Sequence, residues 1–120
     1  MTLEDAIAGT EFPDVVARRY GAVDPGGLNE GQDLRTAMKS GHAFPYLSLL
    51  PLRIDNLLVA GRCASYTHLG LTAGKSMGNM MALGHAAGVA AAMAARNGVR
   101  PRDLPVADIQ KSLREAGVEL

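Results

Sequence analysis

Aromatic side chains, cysteine and net charge are all scarce in this sequence. Three Tyr, two Phe and no Trp are the whole aromatic complement of 120 residues. Each buried aromatic supplies a large share of core area. A core this poor in rings must fill space with alanine and the 14 glycines, through close backbone packing, or rest against something outside the chain. The single cysteine, Cys63, excludes an internal disulfide and a cysteine-built metal site, and fits a reducing compartment. Lys plus Arg and Asp plus Glu are both 12, so no net field favours nucleic acid, an acidic substrate or an anionic membrane. His42, His68 and His85 are scattered without ligand spacing, which argues against zinc. The start, Met1 to Asp5, has neither a basic region nor an apolar run, so a signal peptide is not expected and a cytoplasmic protein is the default. The length suits one modest domain.

What is present is local punctuation. Thr2 with Asp5 predicts a capped helix over Leu3 to Ala8, stopped by Gly9. Asp14 to Tyr20 leans toward a strand, and Gly21 to Gly41 reads as a long irregular loop, a length expected only where a loop is functional or lies against a missing partner. Ala43 to Pro51 is extended and supplies a short edge strand. Asn56 to Ala60 is a continuous apolar run ended by Gly61, the pattern of a strand covered on both faces. A helix follows from about Ser76 to Arg96, with Asn97-Gly98 as a left-handed stop. Its apolar character and its Gly84-x-x-x-Gly88 pair resemble a membrane span, but Asn79 and His85 lie inside it. A helix buried in a larger protein, with Gly84, Ala87, Gly88 and Ala91 admitting a neighbouring backbone, is the better reading. Val99 to Pro105 is a rigid connector. Val106, Ile109, Leu113 and Ala116 then mark an amphipathic helix that stops at Gly117.

Strand, glycine-rich segment and helix in that order deliver a helix N-terminus to an anion or cofactor. The segment between carries Arg62, Ser65, Tyr66, Thr67, His68, Thr72 and Lys75. The first turn, Ser76 to Met80, leaves amides unpaired and concentrates roughly half a positive charge. Gly74 and Gly78 open the backbone to a flat ligand, and Lys75 adds a full charge. Ser76 as a simple cap, with the glycines as turn residues, explains the same residues equally well. Arg62, placed just beyond a strand end, suits a phosphate or a polar ring edge, or a salt bridge to Asp24 or Asp33. His68 could exchange a proton near neutrality or only hydrogen-bond the backbone. His85 reads as a packed or solvent-edge residue, His42 gives no signal, and Cys63 reads as a small packed residue.

Taken in order, Leu3 to Gly9, Phe12-Pro-Asp14, Pro45-Tyr46, Ser48 to Pro51, Asp55 to Cys63, Thr67-His68, Met77, Met81 to Gly84 and Ala86-Ala-Gly88 resemble the C-terminal portion of FAD-dependent oxidoreductases. That family is distantly similar to the fumarate reductase and succinate dehydrogenase flavoproteins. The resemblance implies an α/β fold, a partial FAD-binding-domain-like structure with few strands, one long Ala/Gly-rich helix and a C-terminal amphipathic helix. Residues 1–52 would be a substrate-side segment, and residues 53–120 the returning part of the FAD-binding domain. It implies that Gly61 and Arg62 lie near the ribityl and pyrophosphate region. Lys75, Ser76 and the amides of Met77, Gly78, Asn79 and Met80 would then lie toward the pyrimidine side of the flavin, with His68 as a catalytic candidate.

The departures from the family pattern bear on completeness. No Gly-x-Gly-x-x-Gly follows a strand-like run, so the ADP-binding fingerprint is missing. Leu47 and Lys75 stand where the family usually has arginine, and His85 interrupts a Gly-Gln-Ala-Ala-Gly pattern. The expectation is a flavin-binding oxidoreductase segment, a fragment or a short stand-alone version, completed by self-association or by a missing N-terminal FAD-binding partner. The alternative is a non-enzymatic oligomeric module, with FMN or FAD held between subunits in a third variant.

Overall fold

A computed structural model of the protein describes residues 1–18 and 42–120. The expected loop over 21–41 therefore lies outside the described residues. The element order is α1 (Leu3–Ala8), β1 (Val15–Arg18), β2 (Ala43–Pro45), α2 (His68–Gly74), α3 (Met77–Asn97) and α4 (Val106–Glu115). Short 3-10 turns at Tyr46–Leu49, Gly61–Cys63 and Pro101–Asp103 join them. Among the described residues, four α-helices with a small two-stranded antiparallel sheet are compatible with the expected α/β class.

Local signals place most elements. Thr2 Oγ1 accepts from the Asp5 amide at 3.2 Å while Asp5 Oδ2 accepts from the Thr2 amide at 2.8 Å, a complete capping box for α1. β1 pairs antiparallel with β2 through Val15 with Pro45, Ala17 with Phe44 and Arg18 with Ala43, with a bulge between Val15 and Ala17. α3 ends as expected: Gly98 takes φ 66° and its N–H reaches the Ala94 and Ala95 carbonyls. α4 buries Ile109 and Leu113, and Gln110 Nε2 donates to the Pro13 and Val15 carbonyls at 2.9 and 3.1 Å, tying α4 to β1.

Three expectations need correction. Of the extended piece Ala43 to Pro51 only Ala43–Pro45 is strand, and Tyr46–Leu49 coils into a 3-10 turn. Asn56 to Ala60 forms no strand: Val59 donates to the Leu49 carbonyl at 2.9 Å, and Leu57 is 42% exposed. An apolar run becomes a doubly covered strand only where neighbouring strands supply ladders on its edges, and the described residues offer none here. The stretch between Gly61 and Lys75 is not all irregular, since His68–Gly74 is the helix α2. Thr67 caps it, accepting from the Gly70 amide at 3.1 Å. Gly74 closes it, because a Cβ there would meet the Phe44 ring at 2.9 Å.

The core is small and centred on α3. Its buried face, Asn79, Leu83, Ala86, Ala90 and Ala94, packs on β1, α4 and the two 3-10 turns at Gly61–Cys63 and Pro101–Asp103. Tyr46, Phe44, Leu49, Ile109 and Leu113 supply most of the bulk. The opposite face is open: Met77 is 81% and Met81 71% exposed, and a Cβ added at Gly84 or Gly88 would meet nothing within 4 Å. At the surface, Arg100 pairs with Asp103 at 2.7 Å and Asp55 at 3.2 Å, and Arg102 also reaches Asp55 at 3.2 Å. The pairs hold residues 51–60 to the connector before α4, and Arg100 keeps the Asp103 carboxyl below its ordinary range. Among the described residues no helix is long and apolar enough to cross a membrane.

One buried hydrogen bond spans the fold: Tyr46 Oη donates to the Pro101 carbonyl at 2.9 Å. Burial pushes the Tyr46 hydroxyl up to about 12. An unfolded tyrosine ionises near pH 10, so the contribution of this group is complete below about pH 10 and is lost as pH rises toward 12. Tyr46→Phe should cost about 1–3 kcal/mol at neutral pH, since it strands the Pro101 carbonyl. It should also flatten the alkaline loss of stability, and urea melts across pH 7–12 check both effects.

Candidate functional site

The candidate site forms where the 3-10 turn Gly61–Cys63 meets the first turn of α3. Gly61 takes φ 67°, a left-handed conformation that suits glycine, and this turns the chain sharply after the extended Ala60. A Cβ there would lie 3.8 Å from Met80 Sδ, so Gly61 and Met80 are neighbours. Residues separated by almost twenty positions in sequence thus meet at one end of α3.

Ser76 has the extended backbone of an N-cap, φ −65° and ψ 152°, yet its side chain makes no capping bond. Of the two readings of Ser76, the simple cap is therefore not the one found. Met80 donates to the Ser76 carbonyl at 3.0 Å. The amides of Met77, Gly78 and Asn79 precede it and have no acceptor within the helix. α3 is 21 residues long and carries no acidic residue in its own first turn, although Glu119 of the C-terminal tail lines a cavity together with Gly78 and Asn79. A Cβ at Gly78 would meet nothing within 4 Å, and Met77 stands in solvent. Lys75 is half-buried at the junction of α2 and α3.

Arg62 is exposed on the 3-10 turn beside this end, while Asp24 and Asp33, considered as its ion-pair partners, lie outside the described residues. His68 is exposed on the first turn of α2, a different element from the one that holds the other candidates. Cys63 is exposed, which corrects its reading as a packed residue, and His85 is exposed on α3. His42, silent in the sequence, is buried at 1% exposure with its ring centroid 5.3 Å from that of Phe44. Tyr66 stacks edge-on against Phe44 at 6.3 Å, and desolvation raises the pKa of its hydroxyl well above the ordinary value. Among the described residues no group of His, Cys, Asp and Glu is arranged to hold a metal ion.

The sequence argued for Asn79 only through its amide. The structure buries its side chain to 4% exposure and leaves Nδ2 without a hydrogen-bond partner. Nothing in the spacing of the first turn announces that burial, because it depends on β1 packing beside α3.

These residues fit one edge of a flavin. Uncapped amides can take the negative charge that a reduced ring gathers, the bare Gly78 allows close approach, and the turn that carries Arg62 packs against the same helix. No curated protein and no solved structure matches the chain. The profile of the FAD dependent oxidoreductase family matches residues 1–113. The chain belongs to the FAD dependent oxidoreductase family, and the cofactor this membership implies is FAD.

Proposed function

We propose that this chain is the C-terminal portion of a flavin-dependent oxidoreductase site, and that it binds FAD at the N-terminus of α3. The observation that carries the reading is the meeting of Gly61 and Met80 beside a helix start whose cap residue makes no cap. In this reading residues 1–52 belong to the substrate side and residues 53–120 to the FAD-binding domain. Gly61 and Arg62 hold the ribityl and pyrophosphate region. Lys75, Ser76 and the amides of Met77, Gly78 and Asn79 face the pyrimidine edge, whereas the Met80 amide, expected to join them, is taken by the Ser76 carbonyl. When bound, FAD accepts and donates the hydride. The chain's own part is to hold the ring and to stabilise negative charge on its pyrimidine side through the dipole of α3 and the Lys75 ammonium. His68 remains the candidate for proton transfer, and the distant kinship with fumarate reductase and succinate dehydrogenase flavoproteins belongs to the same proposal.

The missing glycine fingerprint and the open surface support a chain that is completed by another. Leu52, Leu57, Met77 and Met81 are exposed, and the Asn56 to Ala60 run has the composition of a covered strand. The completing surface is an N-terminal FAD-binding partner or a second copy of this chain, and the exposed thiol of Cys63 suits a reducing, cytoplasmic setting. The same open face of α3 favours one rival: a non-enzymatic assembly module, with FMN or FAD held between subunits in its flavin-binding form.

The visible spectrum and mass of the purified protein separate these. A yellow assembly is expected; a colourless protein that takes up neither FAD nor FMN on reconstitution would sink the flavin reading for this chain. Lys75→Met should weaken flavin binding or lower the flavin's reduction potential, and an unchanged redox titration would show that Lys75 does not face the ring. Ser76→Asp should supply the absent cap and raise stability by about 0.5–1 kcal/mol. The same carboxylate should weaken flavin uptake, which paired thermal melts and flavin titrations would show.

A further inference from the structure

A cavity of about 390 Å3 lies between β1, the first turn of α3 and the C-terminal tail. Its walls are mostly apolar, from Ala17, Gly78, Ala82 and Val118, with Asn79 as the uncharged polar side chain. Arg18 and Glu119 add charges of opposite sign, and Arg18 is engaged by Glu11 in a two-pronged pair at 2.7 and 2.6 Å. Sites that hold small organic molecules have this character, roughly 300–1,000 Å3 with an apolar lining and few polar groups.

Asn79 points to the ligand's chemistry. Its side chain is 4% exposed and its Nδ2 has no acceptor, so two N–H groups are buried without partners. Folded proteins rarely leave such donors unmet. The terminal torsion of asparagine is soft, so a small turn of the carboxamide presents an N–H to a molecule in the cavity. The three uncapped amides of the same helical turn add positive potential, which favours an oxygen acceptor. A full negative charge is disfavoured, because the walls are mostly apolar and Arg18 is already paired with Glu11.

We infer that this cavity binds a small, uncharged carbonyl compound with an apolar body, its oxygen accepting from Asn79 Nδ2. The inference does not depend on flavin binding, since it uses the side chain of Asn79 and the β1 flank of the helix.

The test is a titration of the protein with cyclohexanone, followed by amide and carboxamide NMR resonances. Saturable shifts are expected at the Asn79 side chain and at the amides of Ala17, Gly78 and Ala82, with a dissociation constant on the order of millimolar for so small a probe. Asn79→Leu removes an unsatisfied donor at nearly constant shape, so the melting temperature should hold or rise. Its affinity for cyclohexanone should fall at least about fivefold, the loss of one neutral hydrogen bond. Ala82→Leu, which fills the cavity, should abolish the shifts. Cyclohexanecarboxylate should bind more weakly than cyclohexanone. Absence of saturable shifts, tighter binding of the carboxylate, or unchanged affinity in Asn79→Leu would overturn the inference. So would an Asn79→Leu protein that unfolds, because the carboxamide would then be satisfied within the protein itself.

Discussion

How closely β1 and α4 can approach α3 is decided by one stripe of that helix, Leu83, Ala86, Ala90 and Ala94, in which leucine occurs once and alanine three times. Alanine buries little area, so the stripe gains less from transfer out of water than a leucine seam would. Its advantage is distance: backbones come near enough for Gln110 of α4 to reach the carbonyls of Val15 in β1 and of Pro13 just before it. The bulk comes from the other side of the interface, from Tyr46, Phe44, Leu49, Ile109 and Leu113. A larger residue at Ala86 or Ala90 would separate the layers and displace the start of the helix.

That start is where the packing acquires a functional sense. Because α3 is held along its length, its first turn is fixed beside Gly61 without help from a cap. Most helices spend a Ser, Thr or Asp on the orphan amides of their first turn. Here Ser76 has the backbone for that role and its side chain does not fill it. The positive end of a long helix and a bare Gly78 then lie at the end of α3 that meets the Gly61 turn, whose next residue is the exposed Arg62. Family membership implies FAD, and the proposal places it at this uncapped helix start.

Local chemistry was legible in the sequence. The Thr2 and Asp5 box, the Gly98 stop and the Ile109 to Leu113 spacing each depend on a few adjacent residues, and each is found where it was expected. The strand expected at Asn56 to Ala60 was not, because strand formation depends on neighbours that an apolar run cannot announce. α2 was missed for the opposite reason. Its two glycines read as loop residues, yet Gly74 is required by the closeness of the Phe44 ring, and the Thr67 cap was the available signal. The side chain of Asn79 was beyond reach, since its burial is made by β1 more than sixty residues away. The site residues divide in the same way: Ser76 to Met80 were adjacent in sequence, while their meeting with Gly61 is a property of the fold.

In the proposed site the first turn of α3 and the Gly61 turn hold one FAD together, and backbone amide hydrogen exchange with and without FAD reads this out. Slowed exchange is expected at Met77, Gly78 and Asn79 together with Gly61 and Arg62, at the same FAD concentration. Protection at neither group, or at α3 without the Gly61 turn, would contradict it.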